Sequence, residues 1–413
     1  MKILQVNQYY YPRGGADKYF LDLEVALKEV GHEVAVFAMK NPKNQDSIYS
    51  NYFVSRVSFN NQSLVDKLKS PTRVLYSLEA KRKFTKLLND FKPDIIHIHN
   101  IYHHLSPSIL DVAYEKKIPV VMHLHDYKLI CPNHMLFTKG KYCEDCLKTK
   151  YYNCTKNKCV KNSLPGSLLA SLEMYFHHSI LKIYENKVNV FIAPSAFMKD
   201  IVVKFGQDEE KVEVIYNPHN LPKEGSINSD DSSGSKETDN YFLYFGRLSE
   251  EKGLINLIEA ASLSGQKIVI AGTGPEEDSL KKIGDSLKAP VEFVGLKNSS
   301  ELIDIIKKSQ AVVIPSIWAE NMPLSLMEAL SLGKIIIASN MGGLPEVIKD
   351  EENGLIFETG NSRKLADRIN YLNSLPLEMR ESLEKAASDT AELFSVEKNL
   401  ESVIGIYNRL LKE

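Results

Sequence analysis

Short apolar runs rich in valine and isoleucine recur along the chain, and most of them end at a small or polar residue. Runs that are apolar throughout, rather than alternating, indicate strands of parallel sheets covered on both faces. Six such runs fall in the first half and five in the second, at Lys2–Gln8, Glu33–Met39, Ile95–Asn100, Pro119–Asp126, Val190–Ser195, Val212–Asn217, Tyr241–Gly246, Lys267–Gly272, Val291–Gly295, Ala311–Ser316 and Ile335–Asn340.

Segments with helical periodicity lie between these runs, for example Asp17–Val30, Leu254–Ser264, Glu301–Lys308 and Leu324–Leu332. Strand and helix alternating on this scale predict an α/β fold with two doubly wound sheets. Residues 222–240 are polar and rich in glycine, proline and serine, which is typical of a linker. The expected domains are therefore residues 1–218 and 219–394, with residues 395–413 forming a closing helix that returns toward the first domain.

Composition narrows the class of protein. A chain of 413 residues is long for one hydrophobic core and favours two domains. The formal net charge of -2 does not favour a nucleic acid as partner. The first ten residues lack the features of a signal peptide, and no apolar stretch approaches the ~18 residues of a membrane span. These observations predict a cytoplasmic protein.

The most specific chemistry lies in the second half. Gly246 and Arg247 end a predicted strand, and Lys252 stands at the start of the following helix. Glycine lets the backbone approach a ligand closely, and two cations beside a helix N-terminus suit a diphosphate. The alternative is a solvated strand-to-helix turn with surface charges.

A second group of polar residues surrounds the start of the helix predicted at 324–332. Glu320 precedes this helix, Pro323 suits its first turn, and Glu328 lies inside it. Backbone N–H groups at such a helix start can face phosphate. The alternative is a capping role for Glu320 and an exposed helix position for Glu328. The backbone expected at the phosphates is that of Asn321, Met322, Pro323 and Leu324.

These motifs together resemble a known family. A glutamate, seven residues and a second glutamate, after an FGR…EKG segment, are similar to the retaining GT-B glycosyltransferases of family four, also called group 1. The resemblance covers nearly the whole chain, including the segments at 217–219 and 342–348. It implies two Rossmann-like domains that face each other across a cleft, and transfer of a sugar, a hexose, from a nucleotide diphosphate donor.

The resemblance also implies roles for single residues. Arg247 and Lys252 neutralise the donor diphosphate, so that no catalytic metal is required. Glu320 reaches the donor sugar, Glu328 binds the ribose, and Lys297 lies near the base. The expected mechanism is front-face attack, in which the departing diphosphate helps to deprotonate the acceptor. The family commonly has Gly-Phe-Gly where this chain has Asn-Met-Pro at 321–323, which leaves the donor sugar open.

In the first half, Gly14 and Gly15 follow a predicted strand and resemble the glycine loop of the family. A tight turn is the alternative for this pair. His125 ends another predicted strand and matches the histidine that contacts the donor sugar in the family. A hydrogen-bonded structural histidine is the alternative. His97 and His99 alternate on a strand and are assigned no chemistry.

All five cysteines fall between residues 131 and 159. The Cys-x-x-Cys pair and the two cysteines that follow it predict a structural zinc site in an insertion near the acceptor side. An iron–sulfur cluster and a nucleic-acid-binding zinc ribbon are the alternatives. The expected ligands are Cys143, Cys146, Cys154 and Cys159.

The acceptor and the location are less defined. Residues 64–90 carry an excess of positive charge, which indicates either contact with anionic lipid at the inner face of the membrane or a solvated helix. The predicted function is transfer from a UDP-sugar, with a GDP-sugar as the second choice, to a glycan or lipid-linked acceptor in surface polysaccharide synthesis. The alternatives are a sugar-nucleotide epimerase of the same fold and a non-catalytic subunit that binds nucleotide sugar.

Overall fold

The structure is a computed structural model that describes residues 1–56, 75–102, 105–218 and 240–412. The chain divides into two compact units. The first contains residues 1–138, 143–217 and 397–413, and the second contains residues 139–142 and 218–396. The predicted boundary at 218/219 lies one residue from the division at 217/218. The predicted linker at 222–240, except its last residue, and the first part of the basic segment, residues 64–74, lie outside the described residues.

Fourteen strands are described, and twelve of them form two six-stranded parallel sheets. Each sheet strand is short, and all but two edge strands, Val212–Val214 and Val291–Gly295, are mostly buried, as expected for runs of valine and isoleucine. In chain order the strands are β1 (Lys2–Val6), β2 (Glu33–Phe37), β3 (Ile95–Ile98), β4 (Val120–His123), β5 (Phe137–Thr138), β6 (Lys141–Tyr142), β7 (Val190–Ala193), β8 (Val212–Val214), β9 (Phe242–Phe245), β10 (Ile268–Ala271), β11 (Val291–Gly295), β12 (Ala311–Ile314), β13 (Ile336–Ser339) and β14 (Leu355–Phe357).

The two sheets differ in strand order. The first has the order β2-β1-β3-β4-β7-β8, and the second has the order β11-β10-β9-β12-β13-β14. The second order is that of the dinucleotide-binding fold, whereas the first begins like the flavodoxin order. Both sheets are doubly wound, so the prediction of two α/β domains with parallel sheets is confirmed. The pattern missed β14, a strand of only three residues, and the β5–β6 hairpin in the cysteine-rich segment.

The helices connect the strands and cover the sheets. In chain order they are α1 (Gly15–Glu29), α2 (Leu78–Phe91), α3 (Ser108–Glu115), α4 (Tyr152–Asn157), α5 (Leu164–Met174), α6 (Ile183–Lys187), α7 (Ala196–Lys204), α8 (Leu254–Ser264), α9 (Glu277–Leu287), α10 (Ser299–Lys308), α11 (Leu324–Ser331), α12 (Leu344–Val347), α13 (Ser362–Ser374), α14 (Leu377–Ala391) and α15 (Val396–Leu410). Among the described residues, no helix combines the length and the apolar composition that crossing a membrane requires.

The last helix, α15, belongs to the first unit. Val403, Ile406 and Tyr407 are buried in the same apolar cluster as Ile3 of β1. The Asn399 side chain anchors the start of the helix, because it accepts a hydrogen bond from the Tyr19 hydroxyl at 3.1 Å and donates to a backbone carbonyl at 2.8 Å. The chain therefore completes the core of its first unit with its final residues.

Candidate functional site

The second sheet has a switch point between β9 and β12, the two neighbouring strands from which the connections run in opposite directions. Ligands of doubly wound sheets bind at the carboxyl ends of the strands at such a point. Gly246 and Arg247 follow β9 directly, and Ser316 follows β12 by two residues. The backbone carbonyl of Arg247 accepts a hydrogen bond from the Tyr244 hydroxyl at 2.8 Å, which fixes the loop while leaving Arg247 exposed.

Glycines interlock the loops after β9 and β10. Gly246 and Gly272 have φ angles of 148° and 136°, in the region that side chains disfavour. A Cβ on Gly272 would lie 1.9 Å from the carbonyl oxygen of Gly246, and one on Gly274 would lie 2.1 Å from that of Leu248. Only glycine permits these backbone contacts, which bring the predicted Gly246 to a fixed position at the sheet edge.

Another glycine joins the loop after β9 to the loop after β12. Gly253 has a φ angle of 68°, and a Cβ there would lie 2.1 Å from the carbonyl oxygen of Pro315. The backbone N–H of Ile317 donates to the carbonyl of Glu251 at 3.0 Å. The loop after β9 and the loop after β12, which lie on opposite sides of the switch point, are therefore held in contact.

The result is a contact between two predicted site residues that are far apart in sequence. The Lys252 ammonium donates to Glu320 Oε1 at 2.6 Å, and the Ser316 hydroxyl donates to the same oxygen. The Lys252 ammonium also lies 5.4 Å from the centre of the Trp318 ring. The Glu320 side chain is 5% exposed, so the ion pair is largely shielded on the carboxylate side.

The backbone of Glu320 is also held by the loop that follows β13. Gly343 N–H donates to the Glu320 carbonyl at 2.7 Å. Gly342 has a φ angle of 65°, and a Cβ there would lie 2.3 Å from that carbonyl oxygen. Glycine at position 342 thus has a structural reason, which is the close approach of this loop to the backbone of Glu320.

Helix α11 begins beside this carboxylate. Pro323 is the residue before the helix, not within its first turn as predicted, because its ψ angle of 138° is extended. The helix N-terminus has no side-chain cap, so it is suited to an anion. Met322 is buried, Asn321 and Leu324 are half-buried, and Glu328 is half-buried in the second turn of the helix.

Lys297 lies two residues after β11, the edge strand of the same sheet. Two strands, β10 and β9, lie between β11 and β12, so Lys297 is farther from the switch point than Lys252. It stands at the same carboxyl edge and is half-buried. This is compatible with a contact to an outlying part of a ligand, and its predicted role stays a prediction.

The first unit places Gly14 and Gly15 at the start of α1. Gly14 is extended, with a φ angle of -161°, and a Cβ there would meet nothing within 4 Å. Neither the backbone conformation nor the packing therefore requires glycine at position 14. A tight turn, the alternative explanation for this glycine, is not what the extended backbone shows. Close by, the Asn7 side chain donates to Asp17 at 2.8 Å, and burial raises the pKa of Asp17.

Four histidines stack where β3 and β4 end. His97 lies in β3 and His99 directly follows it, whereas His123 is the last residue of β4 and His125 lies two residues beyond it. Within each pair the ring centres lie 4.5 and 4.4 Å apart. His99 Nδ1 and His125 Nε2 lie 2.9 Å apart, so one ring donates a hydrogen bond to the other.

Burial lowers the pKa of each of these histidines, and the neighbouring rings lower the pKa of His99 and His125 further. For His123 the pKa falls to about 3. The stack is therefore neutral at pH 7. The half-buried ring of His125 is the outermost of the four and offers a neutral imidazole at the carboxyl edge of the sheet.

Side-chain nitrogens of His97, His99 and His123 lie within 4.8 Å of one another, the one such trio of metal-binding side chains in the described ranges. The three rings are, however, within 17° of parallel. An imidazole binds a metal along a lone pair in its own plane, and parallel rings direct these lone pairs side by side. The arrangement favours a packed neutral stack over a metal site.

The five cysteines converge on one small pocket in the first unit. None of the five is in a disulfide bond, and Cys131, Cys146 and Cys154 are buried. Burial raises the pKa of Cys131 to about 11 and that of Cys146 to about 12, so these thiols are protonated at pH 7 in the metal-free form. The structure thus adds Cys131 to the four predicted ligands.

Sequence reasoning missed several parts of these sites. Gly272 and Gly274 follow β10 as Gly-x-Gly, a signal that the sequence did offer. Ser316 and Cys131 carried no local signal: Ser316 lies four residues before the carboxylate to which it donates, and Cys131 lies twelve residues before the Cys-x-x-Cys pair.

Comparison with known proteins identifies the family. The family model for glycosyl transferases group 1 matches residues 226–390, and that for glycosyltransferase family 4 matches residues 13–222. The second match alone spans half of the chain. The two matches together cover both units.

Relatives and solved structures cover the whole chain. The uncharacterized glycosyltransferase MJ1607 of Methanocaldococcus jannaschii is 26% identical over 389 residues, 89% of each chain. The O-antigen chain mannosyltransferase C of Escherichia coli is 23% identical and covers 100% of this chain and 99% of its own. Anabaena HepE, solved with UDP and glucose, superposes with a TM-score of 0.66 at 18% identity, over 99% of this chain and 100% of its own. The two parallel-sheet domains and the two family matches agree, and the chain belongs to the group 1 glycosyltransferases of GT-B fold.

Proposed function

We propose that this glycosyltransferase transfers a hexose from a nucleotide diphosphate donor, with the stereochemistry retained, to a glycan or lipid-linked acceptor. The observation that carries the proposal is the contact between Lys252 and Glu320 at the switch point of the second sheet. It brings a cation and a carboxylate together beside the uncapped N-terminus of α11. A diphosphate needs cations and N–H donors, and a sugar needs a carboxylate that accepts from its hydroxyls.

Each residue then has a distinct task. The exposed Arg247 grips two phosphate oxygens, and Lys252 supplies a second positive charge that offsets the charge on the leaving diphosphate. Glu320 holds the donor sugar and Glu328 the ribose. No catalytic metal is needed in this scheme, because the two cations take its electrostatic role.

The reaction is proposed to proceed on one face of the sugar. The bond from the anomeric carbon to the diphosphate oxygen breaks, and the acceptor oxygen bonds to that carbon from the same side. The proton of the acceptor hydroxyl passes to the departing diphosphate. Positioning and electrostatic stabilisation of the leaving group supply the catalysis. His125 is assigned to the donor sugar, where its neutral ring accepts or donates a hydrogen bond without adding charge.

The preferred donor is a UDP-sugar, with a GDP-sugar as the second choice. The solved complex of Anabaena HepE with UDP and glucose supports uridine. The mannosyltransferase of Escherichia coli supports surface polysaccharide synthesis as the setting. A protein that builds such polymers on lipid-linked acceptors works in the cytoplasm at the inner face of the membrane, and peripheral association there belongs to the same proposal.

The test is calorimetric binding of UDP-, GDP- and ADP-sugars to the wild type and to Arg247→Ala and Glu328→Ala. One donor class should bind the wild type and should bind each variant at least about 10-fold more weakly, the loss of one charge-assisted hydrogen bond. Arg363→Ala and Glu292→Ala are the matched controls. Both side chains belong to the second unit and are exposed, and both variants should bind as the wild type does.

Turnover is then followed by NMR with polyprenyl-phosphate-linked sugars as acceptors. The new glycosidic bond should have the anomeric configuration of the donor. An inverted product would refute retention, and release of an epimerised nucleotide sugar without acceptor would establish the epimerase instead. No binding of any donor by the wild type would overturn the proposal.

A further inference from the structure

We infer that the cysteine-rich segment is closed by one zinc ion, held by Cys131, Cys143, Cys146 and one thiolate of the Cys154–Cys159 pair. This inference concerns the folding of the first unit and does not depend on the proposed donor chemistry. The sequence alone indicates four ligands in residues 143–159. The structure brings a fifth cysteine, from before the hairpin, to the same pocket.

The thiols surround a single small space. All five cysteines line one cavity of about 10 Å³, together with side chains such as Asn133 and Asp145. That volume is about what one water-sized sphere occupies. It suits a single ion and is too small for a multi-iron cluster. Four thiolates around one ion are the usual ligands of structural zinc.

Backbone N–H groups lie near three of the sulfur atoms. Those of Leu136, Asn133 and Met135 favour the thiolate of Cys131, and the N–H of Met135 also donates to Asn133 Oδ1 at 3.1 Å. The N–H of Asp145 favours the thiolate of Cys143, and that of Cys154, which donates to the Tyr151 carbonyl at 3.0 Å, favours the thiolate of Cys146. Converging backbone N–H groups are the way proteins stabilise negatively charged sulfur at metal centres.

The fourth ligand comes from the remaining two cysteines. Cys154 and Cys159 form a hydrogen bond between their side chains, and Cys159 N–H donates to the Cys154 carbonyl at 3.1 Å. Cys159 is close enough to Cys131, Cys143 and Cys146 to interact electrostatically with each of them. In such a pair one sulfur binds the ion, and the thiol of the other cysteine donates a hydrogen bond to that sulfur.

The backbone of the segment supplies a second, independent reason for a cross-link. Of the fourteen non-glycine residues described with a positive φ angle, eight lie between His134 and Asn162. Each such residue costs roughly 1–2 kcal/mol, and it persists only when its surroundings enforce it. The regular structure nearby is a two-residue-per-strand hairpin and the six-residue α4.

The apolar packing available to enforce it is small. The local cluster of buried side chains consists of Cys146, Tyr151, Cys154 and Met174. Small, loop-rich segments with so little core usually depend on a metal or on disulfides. A zinc ion supplies the missing constraint. The sulfur atoms then draw together to about 3.8 Å, the edge of a tetrahedron with 2.3 Å bonds.

The test is the zinc content of the full chain, purified without chelator and measured by mass spectrometry. We expect about one zinc per chain in the wild type. Cys131→Ser, Cys143→Ser, Cys146→Ser and the double variant Cys154→Ser/Cys159→Ser should each fall to about a tenth of that content or less. Lys150→Ser, an exposed position in the same segment, is the matched control and should keep its zinc.

Because the variants can also fail to fold, the wild type provides a second measurement. The zinc is removed with a chelator and replaced by Co²⁺, which should give the intense visible bands of a tetrahedral thiolate site. Chelation should also make residues 131–162 accessible to limited proteolysis. The inference is overturned by a metal-free wild type whose five thiols all react in the native state. It is equally overturned by stoichiometric iron, by a Cys154–Cys159 disulfide, or by full zinc retention in Cys131→Ser.

Discussion

The ion pair between Lys252 and Glu320 predicts an unusual effect of Glu320→Gln. In the ligand-free protein the Glu320 carboxylate is paired at 2.6 Å with the Lys252 ammonium, the same group that is proposed to bind the donor diphosphate. Glutamine has the same shape and can still accept from the Ser316 hydroxyl, but it carries no charge. The variant should therefore bind UDP more tightly than the wild type, although it transfers sugar poorly.

The magnitude follows from distance. A phosphate oxygen on the same ammonium lies about 2.8 Å from Nζ, so the carboxylate and the phosphate are at most about 5.4 Å apart. At an effective dielectric constant of about 20, two negative charges at that distance repel by about 3 kcal/mol, and twice that dielectric halves the energy. Since 1.4 kcal/mol is tenfold in affinity, UDP should bind roughly 10- to 150-fold more tightly.

Isothermal titration calorimetry with UDP on both proteins measures this directly. Glu292→Gln, an exposed carboxylate of the same unit, is the matched control and should bind as the wild type does. The gain should change little with salt, because screening acts weakly on a carboxylate that is 5% exposed. Equal or weaker binding of UDP by Glu320→Gln would refute the assignment of Lys252 to the diphosphate.

Two further predictions concern the scaffold of the sites. Gly342→Ala places a Cβ 2.3 Å from the Glu320 carbonyl at a φ angle of 65°, so guanidinium unfolding should show a loss of about 2–4 kcal/mol, together with weaker donor binding. Gly284→Ala in α9, where the nearest atom is 4.0 Å away, is the control and should stabilise by about 0.5–1 kcal/mol; equal effects of the two variants would contradict the predicted clamp. The second prediction uses the histidine stack, in which burial lowers the pKa of His97, His99, His123 and His125 below the unfolded value of 6.5. The unfolded chain then binds more protons below pH 6.5, so the free energy of unfolding should fall from pH 7 to pH 5. His123, with a pKa of about 3, should account for about 2 kcal/mol of that fall. His123→Leu should reduce the fall in the free energy of unfolding between pH 7 and pH 5 by about 2 kcal/mol. An unchanged pH dependence would show that His123 titrates normally in the folded state.

The sequence by itself determined the class of the fold and most of the candidate donor site. Continuous runs of valine and isoleucine define strands buried on both faces, and this pattern is local, so eleven of the twelve sheet strands were predicted. The exception is Leu355–Phe357, a strand of three residues that was not recognised as an apolar run. Arg247, Lys252 and Glu320 stood out because they follow a strand or precede a helix start, and such positions can be identified along the chain. Glu328 stood out only through the family resemblance.

Tertiary structure decided which of these residues meet. The order of the strands depends on how the connections cross the sheet, so the contact between Lys252 and Glu320, 68 positions apart, cannot be derived from local pattern. The same holds for the histidine stack, which requires β3 and β4 to be neighbours, and for Cys131, which joins the other cysteines only through the folded hairpin. The sequence gives the chemistry of each side chain and its local structure. Contacts between residues far apart in the sequence are determined only when the whole core packs.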